Sequence, residues 1–290
     1  MISKSIYLVG DCGEWHFNDL QRAATQRSVL LVPIRFEDLA ANVSTHSTSV
    51  SSVVELSSDA IALVRAVSRG SLEQIVFRMN CLAAWERQGA RLVNSSRSIE
   101  SCIDKFQTLA LLQQRGIPVP RTIVCQSANQ AFAAWETFGG RAVLKPLFGS
   151  EGRGIGMIDS ATRAIQYFQM MEDAGQVIYL QQFIEHRGFD TRILVIGNQI
   201  LSMRRENSTD WRTNTSRGAT AVAHDATATE QELALAVAQC LGAELCGVDI
   251  VRDAAGNPFV IEANAVPGWH SISQVVDQDI AATVLDLVLK

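Results

Sequence analysis

Two carboxylates and a carboxamide near the end of the chain have the residue types and spacing of a metal site. Apolar runs at 248–251 and 259–264 flank a short loop, which predicts an antiparallel hairpin. Residues two apart in a strand share a face, so Glu262 and Asn264 point the same way, and Asp249 on the partner strand can join them. Burying carboxylates without compensation is costly, and Mg²⁺ is commonly held by one or two carboxylates together with substrate phosphates. The alternative is the solvent-facing side of an amphipathic hairpin, and the hairpin alone does not decide between them.

A lysine followed by a glycine-rich loop predicts contact with an anion. Residues 141–146 read as a strand that carries Lys145 near its end, and the loop 147–154 follows. Its three glycines would let the backbone approach a ligand and present amide groups to it. The order is not that of Walker A, because the lysine precedes the loop. Glycine-rich hairpin tips also occur without this role, but the adjacent lysine favours phosphate.

A polar, basic stretch at 204–218 has the composition of an anion-recognition segment. Four arginines alternate there with hydroxyls and amides, at positions Arg204, Arg205, Arg212 and Arg217. Guanidinium groups bind carboxylate and phosphate through paired hydrogen bonds. Such a run otherwise reads as a solvated loop.

Composition excludes several classes of protein. The net charge of -5, from 25 basic and 30 acidic residues, is the opposite of a nucleic-acid footprint. The longest apolar runs, such as 29–34, are too short to cross a bilayer, and the first residues lack the pattern of a secretory signal. The six cysteines show no Cys-x-x-Cys pair. We therefore expect a reduced cytoplasmic enzyme with neither nucleic acid nor membrane as a partner.

The first ninety residues alternate strand-like and helix-like runs, which predicts an open α/β unit. Ligands of such units sit beyond the carboxyl ends of the strands, so Asp11, Trp15 and His16 are candidates for substrate contact. His16 also suits a plain position at a helix N-terminus, which is the slightly favoured alternative. An amphipathic helix at 71–87 could pack on the core or form the interface of a homo-oligomer.

The order of these parts resembles the ATP-grasp superfamily. Its elements here are Lys105, Lys145 with its loop, Gln181 to Ile184, Arg204-Arg205 with Asn214 and Arg217, Asp249, and Glu262-x-Asn264. Within the superfamily the chain looks most like the group of the ribosomal protein S6 glutamate ligase, over residues 98 to 290. The strings at 70–79 and 145–154 also look like the α-L-glutamate ligase-type proteins associated with tetrahydromethanopterin synthesis.

The resemblance implies an α/β (α+β) fold in three parts. These are an N-terminal α/β pre-ATP-grasp domain at 1–97, a central ATP-grasp subdomain with the glycine-rich lid at 98–184, and a C-terminal subdomain with the metal site at 185–290. It also implies a lid over the phosphates of ATP, with contacts from Gly149, Ser150, Glu151, Gly152 and Gly154.

Further roles follow from the same resemblance. Lys105 and Lys145 would bind the phosphates of ATP. The adenine pocket and the rest of the nucleotide site would be formed by Gln182, Phe183, Ile184, Asp190, Arg204 and Asn214. Asp249, Glu262 and Asn264 would hold one or two Mg²⁺ ions, for which Mn²⁺ could substitute. Arg205 and Arg217, with Lys145, would act on the transferred phosphoryl group and the acyl intermediate.

The chain departs from the S6-ligase pattern at two places. Ser216-Arg217-Gly218-Ala219 replaces a His-Arg-Gly-Gly segment, and Met203 replaces the glutamate before the paired arginines. These departures affect the substrate, especially a protein C-terminus, more than the phosphate chemistry.

The expected activity is that of an ATP- and Mg²⁺-dependent carboxylate–amine ligase that acts through an acyl phosphate. It would add glutamate or another amino acid to a small carboxylate acceptor such as a tetrahydromethanopterin precursor. The alternatives are glutamate addition to a protein C-terminus, a small-molecule kinase of the same fold, and a non-catalytic nucleotide-binding module. None of these requires a histidine base, and the role of His270, which follows Trp269 near the hairpin, is left open.

Overall fold

The structure is a computed structural model that describes residues 4–11, 13–52, 56–149 and 152–290. Its first sheet is built from the N-terminal residues. In chain order the strands are β1 (Ser5–Gly10), β2 (Leu30–Ile34), β3 (Ala40–Val43), β4 (Thr48–Ser51), β5 (Ile61–Ala66) and β6 (Arg91–Val93). Strands β2-β1-β5-β6 form a parallel sheet in that order, while β3 and β4 form a separate hairpin. The helices α1 (Gly13–Gln26) and α2 (Leu72–Arg87) connect these strands. The predicted open α/β unit is therefore confirmed.

Two short helices lead from the first sheet to the second. These are α3 (Ser96–Ile103) and α4 (Lys105–Gln114). The helix breaks because Asp104 adopts an extended conformation and its carboxylate accepts hydrogen bonds from the backbone of Phe106 and Gln107. Both helices pack against the C-terminal part of the chain.

The second sheet is antiparallel and lies in the middle of the chain. It contains β7 (Thr122–Cys125), β8 (Ala142–Lys145), β9 (Gly156–Ile158) and β10 (Ile178–Gln182), in the spatial order β7-β10-β8-β9. Helices α5 (Ala128–Thr137) and α6 (Ala161–Asp173) pack together on it, and their apolar side chains form one core with the sheet. Serine residues cap both helices at their N-termini.

The third sheet carries the predicted metal hairpin. Its strands are β11 (Phe189–Ile196), β12 (Gln199–Glu206), β13 (Thr220–Ala223), β14 (Leu245–Arg252) and β15 (Pro258–Asn264), in the antiparallel order β13-β12-β11-β14-β15. The helices α7 (Ala228–Leu241) and α8 (Ile280–Val288) complete the chain. Short 3₁₀ turns lie at Phe36–Asp38, Thr215–Arg217 and Ile272–Gln274.

Successive side chains along the strands of the third sheet point to opposite faces. One face packs on α7, and the other carries the polar side chains of the candidate site. Ile193, Val195, Val248 and Ile250 form a core with α7. On the other face Leu194 and Ile196 join a core that α8 shares with the first sheet. The polar side chains of the candidate site lie on this second face, so their backbone is supported from behind by α7.

The domain boundaries at 97/98 and 184/185 stay a prediction, although each lies between two sheets. The part of the chain that the structure describes has no helix long and apolar enough to cross a membrane. Of the two alternatives for α2, packing on the core is seen for its buried Leu82 and Trp85, while Leu72, Val76 and Phe77 are exposed. A homo-oligomer interface on that exposed side stays a prediction.

Helix α7 begins at a buried charged cap. Thr227 is the N-cap, and Glu230 completes a capping box with it. The Glu230 carboxylate also contacts His224 and Arg252, at 3.1 and 3.3 Å. Burial alone would raise the pKa of Glu230, but the hydrogen bonds from Thr227 and His224 lower it to about 2.

We expect Glu230→Gln to destabilise the fold at neutral pH, by on the order of 3 kcal/mol for a pKa lowered from 4.5 to about 2. A lowered carboxylate pKa stabilises the folded state above the unfolded pKa and loses this effect as pH falls through the folded value. The difference between wild type and variant should therefore shrink from about pH 5 towards pH 2. Urea unfolding across this range measures it, with the exposed Glu232→Gln on the same helix as the control. A difference that does not change with pH would contradict the assignment.

Candidate active site

The hairpin at 245–264 brings two of the three predicted metal ligands directly opposite each other. Asp249 on β14 pairs with Glu262 on β15, and Asn264 pairs with Gly247 two residues away. The predicted antiparallel hairpin is confirmed, with a register irregularity after Asp249 that leaves Ile261 without a direct partner. One face of the hairpin therefore presents two carboxylates and an amide.

Asp249 is fixed between two arginines. Arg192 Nη1 lies 2.6 Å from Asp249 Oδ1, and Arg205 Nη2 lies 2.8 Å from Oδ2. Arg205 also binds Asp190 through both its Nε and Nη2 groups. Burial alone would raise the pKa of Asp249, but the guanidinium groups of Arg192 and Arg205 lower it. Two buried carboxylates and two guanidinium groups thus compensate one another.

Arg192 is a member of this network that the sequence analysis missed. It lies directly opposite Asp249 across the β11–β14 pair. A Cβ atom on Gly247 would overlap the Arg192 guanidinium, so only glycine leaves room for it. The signal in the sequence is the period-2 pair Asp190 and Arg192, which interrupts one face of an otherwise apolar strand.

Two lysines stand beside the carboxylates. Lys145 is buried at the end of β8, and its Nζ donates to Gln181 Oε1 at 2.6 Å. Burial lowers the pKa of Lys145 to about 8, with a further contribution from the charge of Lys105. Lys105 opens α4, and its Nζ donates to the carbonyl of Gly149 at 2.7 Å. Burial lowers the pKa of Lys105 as well.

The glycine-rich loop rests on the arginine-rich stretch. Gly149, Gly152 and Gly154 all have positive φ, which explains why glycine is needed there. A side chain at Gly152 would collide with the Asn214 carboxamide, and Arg217 Nη2 approaches the Gly152 carbonyl at 3.5 Å. Of the predicted lid contacts, Ser150 and Glu151 lie outside the described residues.

A cleft between the second and third sheets collects most of these side chains. Its empty volume is about 610 Å³, part of which is open to solvent. Of the residues predicted from sequence, those that line it are Lys145, Gln182, Phe183, Ile184, Asp190, Arg205, Asn214, Asp249 and Glu262. Trp211 and Arg212 also line it, and the ring of Trp211 packs edge-on against Phe183. Carboxylates, cations and an apolar wall therefore meet in one cleft.

The prediction that Arg204 belongs to the nucleotide site is corrected by the structure, which places this residue away from the cleft. Neighbouring residues of a strand face opposite ways, and Arg205 occupies the cleft side of β12. Arg204 lies directly opposite Thr191, whose hydroxyl contacts Glu230 at the start of α7. Its guanidinium stacks on the Phe189 ring, 4.6 Å from the centroid. Arg204 therefore cannot reach a nucleotide in the cleft from this strand position.

The predicted metal ligands were tested against the chemistry of their donor atoms. Asp249, Glu262 and Asn264 offer only oxygen donors, which suits Mg²⁺. Asn264 Oδ1 accepts a hydrogen bond from the backbone of Val266 at 2.8 Å, which orients the amide. Among the described residues there is no cluster of three or more His, Cys, Asp or Glu side chains with metal-binding geometry. The donor set fits a hard cation that takes further ligands from substrate or water.

Comparison with known proteins agrees with this architecture. The ligase PsnB, described as an ATP-grasp ligase complexed with a minimal precursor, Mg and ADP, aligns over 98% of this chain and 97% of its own, with a TM-score of 0.74 and 19% identity. The fold class is thus confirmed as ATP-grasp.

Sequence relatives show the family. A model of the RimK-like ATP-grasp domain matches residues 102–288. A probable alpha-L-glutamate ligase from Legionella pneumophila is 31% identical over 209 residues, covering 71% of this chain and 69% of the relative. A tetrahydromethanopterin:alpha-L-glutamate ligase from Methanococcus maripaludis is 31% identical over 203 residues, covering 68% and 69%.

The chain belongs to the RimK-like ATP-grasp family, as the order of its motifs indicated. It is an ATP-dependent ligase that forms carbon–nitrogen bonds.

We expect nucleotide binding to draw a proton onto the site near pH 8. Lys145 has a pKa of about 8, and an approaching phosphate favours its charged form. Calorimetric titration with ADP in EDTA, repeated in buffers of different ionisation enthalpy, counts the protons. Uptake should be largest just above pH 8, and Lys145→Gln should reduce it. A binding enthalpy that is independent of the buffer in the wild type would contradict this role of Lys145.

We expect Gly247→Ala to weaken the metal site by displacing Arg192 from Asp249. Loss of a charge-assisted hydrogen bond is worth about 1.5–3 kcal/mol, so the Mg²⁺ concentration for half-maximal turnover should rise about tenfold or more. The control is Gly156→Ala, since a Cβ there meets no atom of the described residues within 4 Å and φ is not positive. An unchanged Mg²⁺ requirement in Gly247→Ala would count against the need for Arg192 at Asp249.

Proposed function

We propose that this ligase uses ATP and Mg²⁺ to activate a carboxylate as an acyl phosphate and then joins it to an amine. The amine is L-glutamate, and the acceptor is a small carboxylate such as a tetrahydromethanopterin precursor. The observation that carries the proposal is the cleft in which Lys145, the Asp190–Arg205–Asp249 network and Glu262 meet. Cations for phosphate and oxygen donors for a metal stand there side by side.

The cleft suits ATP bound along its length. Phe183 and Trp211 form an apolar wall at one end. Beside it, Gln182 supplies a polar side chain and Ile184 supplies polar backbone groups. Lys145 and Lys105 stand near Glu262 at the other end. We place the base against the aromatic wall and the phosphates between the lysines and the hairpin, with Gly149, Gly152 and Gly154 above them. The hydrogen bond from Lys105 to the Gly149 carbonyl keeps one cation at the base of that loop.

Asp249, Glu262 and Asn264 are the residues that would hold Mg²⁺, and we expect Mn²⁺ to substitute for it. When bound, the ion supplies charge neutralisation between the nucleotide phosphates. Arg205 keeps Asp249 ionised and in place, because its own two carboxylate partners fix its guanidinium on the floor of the cleft. We assign to Arg217, whose guanidinium approaches the Gly152 carbonyl of the glycine-rich loop, the role of meeting the transferred phosphoryl group.

The reaction balances in two steps. An oxygen of the acceptor carboxylate attacks the γ-phosphorus of ATP, the bond to the bridging oxygen breaks, and ADP leaves. The glutamate nitrogen then attacks the acyl carbon, inorganic phosphate leaves with the electron pair of the carbon–oxygen bond, and the nitrogen loses a proton to solvent. The protein contributes positioning and charge rather than a covalent nucleophile. Covering the acyl phosphate protects it from water, which is the task we assign to the glycine-rich loop.

The choice of glutamate and of a small acceptor rests on the relatives. One is named for transfer of glutamate to tetrahydromethanopterin, and another is named as a probable alpha-L-glutamate ligase. A protein C-terminus as acceptor is less well supported, because Ser216 and Ala219 replace the histidine and second glycine of the S6-ligase pattern.

Isotope transfer tests the reaction. With an acceptor carboxylate labelled with ¹⁸O, acyl phosphate formation moves one ¹⁸O into the released inorganic phosphate. We expect this transfer only when ATP, Mg²⁺, the acceptor and glutamate are all present, together with a product heavier by one glutamate residue. Phosphate retained on the product would instead identify a kinase. If labelled phosphate is released but no amide product forms with any of the amine donors offered, the ligase reaction is rejected.

The acceptor itself is found by competition. Purified enzyme is offered ATP, Mg²⁺, glutamate and an equimolar panel of pterin carboxylates, small dicarboxylates and peptides ending in glutamate. Mass spectrometry then identifies which member gains a glutamate residue. We expect a small-molecule carboxylate, and preferential extension of a peptide would overturn the proposed acceptor class.

A further inference from the structure

The segment that follows the metal hairpin is bound by the N-terminal sheet and helix α1 at every second residue. This segment, Ala265 to Trp269, continues directly from Asn264. N-terminal side chains hydrogen-bond to it at residues 265, 267 and 269, over sequence separations of 171 to 253 residues. A loop held at three alternate positions has little freedom to move independently of the unit that holds it.

The first two contacts come from the ends of strands in the first sheet. Asn94, which follows β6, donates to the carbonyls of Ala265 and Leu245 and accepts from the Leu245 backbone at 3.0 Å. It therefore ties both strands of the metal hairpin to the first sheet. Arg65 in β5 donates to the Pro267 carbonyl at 2.8 Å, and its guanidinium lies over the Trp269 ring. Both side chains are almost fully buried.

The third contact comes from helix α1. The backbone N–H of Trp269 donates to His16 Nε2 at 3.1 Å, and Trp269 Nε1 donates to Asp19 Oδ2 at 3.0 Å. A ring nitrogen that accepts a hydrogen bond carries no proton, so this contact requires the neutral His16 ring with its proton on Nδ1. His16 is thus occupied with the backbone of Trp269 rather than directed at a substrate.

Two Trp-His pairs from opposite ends of the chain meet here. The His16 ring packs edge-on against Trp269, and the Trp15 ring lies 4.3 Å from that of His270. Trp269 is fully buried, while Trp15 and His270 lie at the surface. The contact between His16 and the buried Trp269 fixes the segment after the metal hairpin to the N-terminal unit. This contact region is called the joint below.

The joint bears on the metal site through Asn264. Asn264 Oδ1 accepts from the Val266 N–H, so the orientation of the amide depends on the path of residues 265 and 266. Asn94 fixes the carbonyl of residue 265, and Arg65 and His16 fix the two alternate residues beyond it. A shift of this segment would turn the Asn264 amide away from Glu262 and Asp249 without touching the lysines that face the nucleotide.

We propose that His16, Arg65 and Asn94 are positioning residues of the metal site, acting through the backbone of residues 265–269 on Asn264. The inference rests on the proposed function, since it takes Asn264 as a metal ligand. It gives the N-terminal unit a part in metal binding in addition to whatever substrate it contacts. Loss of the His16 acceptor weakens binding of the ion and leaves binding of metal-free nucleotide unchanged.

A matched pair of substitutions tests the role of His16. In His16→Gln the side-chain oxygen reaches about as far as Nε2 and can accept from Trp269, whereas the shorter His16→Asn cannot. Binding of Mn²⁺ in the presence of ADP is measured by electron paramagnetic resonance, and binding of ADP in EDTA by calorimetry. We expect His16→Asn to weaken Mn²⁺ binding about tenfold, His16→Gln to restore most of it, and both variants to bind ADP in EDTA as wild type does.

The control is Arg27→Gln, at the residue directly after α1 and at the interface between the N-terminal unit and α8. Arg27 pairs with Asp286 of α8 instead of the 265–269 segment. Arg27→Gln should lower the melting temperature of the protein without changing its Mn²⁺ affinity. If His16→Asn fails to fold, Arg65→Lys replaces it. The lysine ammonium keeps the charge but ends short of the position of Arg65 Nη2, which donates to the Pro267 carbonyl, and it lacks the planar group that lies over the Trp269 ring, so the same loss of Mn²⁺ affinity is expected.

Each outcome decides one question. Wild-type protein that binds no Mn²⁺ with ADP would reject the proposed metal site itself. Normal Mn²⁺ binding by wild type and equally by His16→Asn, with only a lower melting temperature, would show that the joint is merely structural. If His16→Gln and His16→Asn weaken Mn²⁺ binding equally, the proposed role of the hydrogen bond between Trp269 and His16 is also overturned.

Discussion

The site depends on how the third sheet accommodates buried charge. Asp190 and Asp249 are removed from water on neighbouring strands, and neither could remain ionised there without a cation. Arg205 lies between them and binds both, while Arg192 binds Asp249 from the other side. Several features follow from this constraint, including the glycine at 247 and the placement of Asp190, Arg192 and Arg205 on a single face of the sheet.

The same network explains how Asp249, a proposed metal ligand, is set in place without a metal. A carboxylate held by two guanidinium groups is fixed in one orientation and kept ionised. Glu262, directly across the hairpin, has a less buried position and is open to the cleft. One carboxylate is thus set by the protein, and the other is accessible to ligand. This division suits a site that must form again with every molecule of ATP.

The N-terminal unit and the third sheet are joined by more than the 265–269 segment. Helices α1 and α8 pack together, and ion pairs join Arg22 of α1 to Asp279, the N-cap of α8, and Arg27, which follows α1, to Asp286 of α8. Arg91 adds hydrogen bonds to the end of α8. The second sheet meets the site through the glycine-rich loop and the cleft, and Tyr179 of β10 joins the core that the third sheet forms with α7. The sheet that carries the proposed metal ligands is thus tied to both of its neighbours.

Local patterns in the sequence predicted the hairpin and the shared face of Asp249, Glu262 and Asn264, because strand periodicity requires only neighbouring residues. The same periodicity places Arg204 and Arg205, as adjacent residues of a strand, on opposite faces. It therefore already argues against assigning both arginines to the site. Arg192 and Gly247 could not be connected in this way, since their contact depends on the register of two strands that are over fifty residues apart. His16, Arg65 and Asn94 are farther still from the segment they bind, and no short-range pattern marks them.

If the hairpin holds a metal ion against the phosphates of ATP, Glu262→Gln should weaken binding of that ion. The substitution keeps the shape of the side chain and removes its charge. Binding of Mn²⁺ to the complex with ATP should weaken by about tenfold or more, since a hard cation loses one anionic ligand. Binding of ATP in EDTA should be unchanged or tighter, because a negative charge near the phosphates is gone. Unchanged Mn²⁺ affinity, or a loss of ATP affinity in EDTA, would contradict the account.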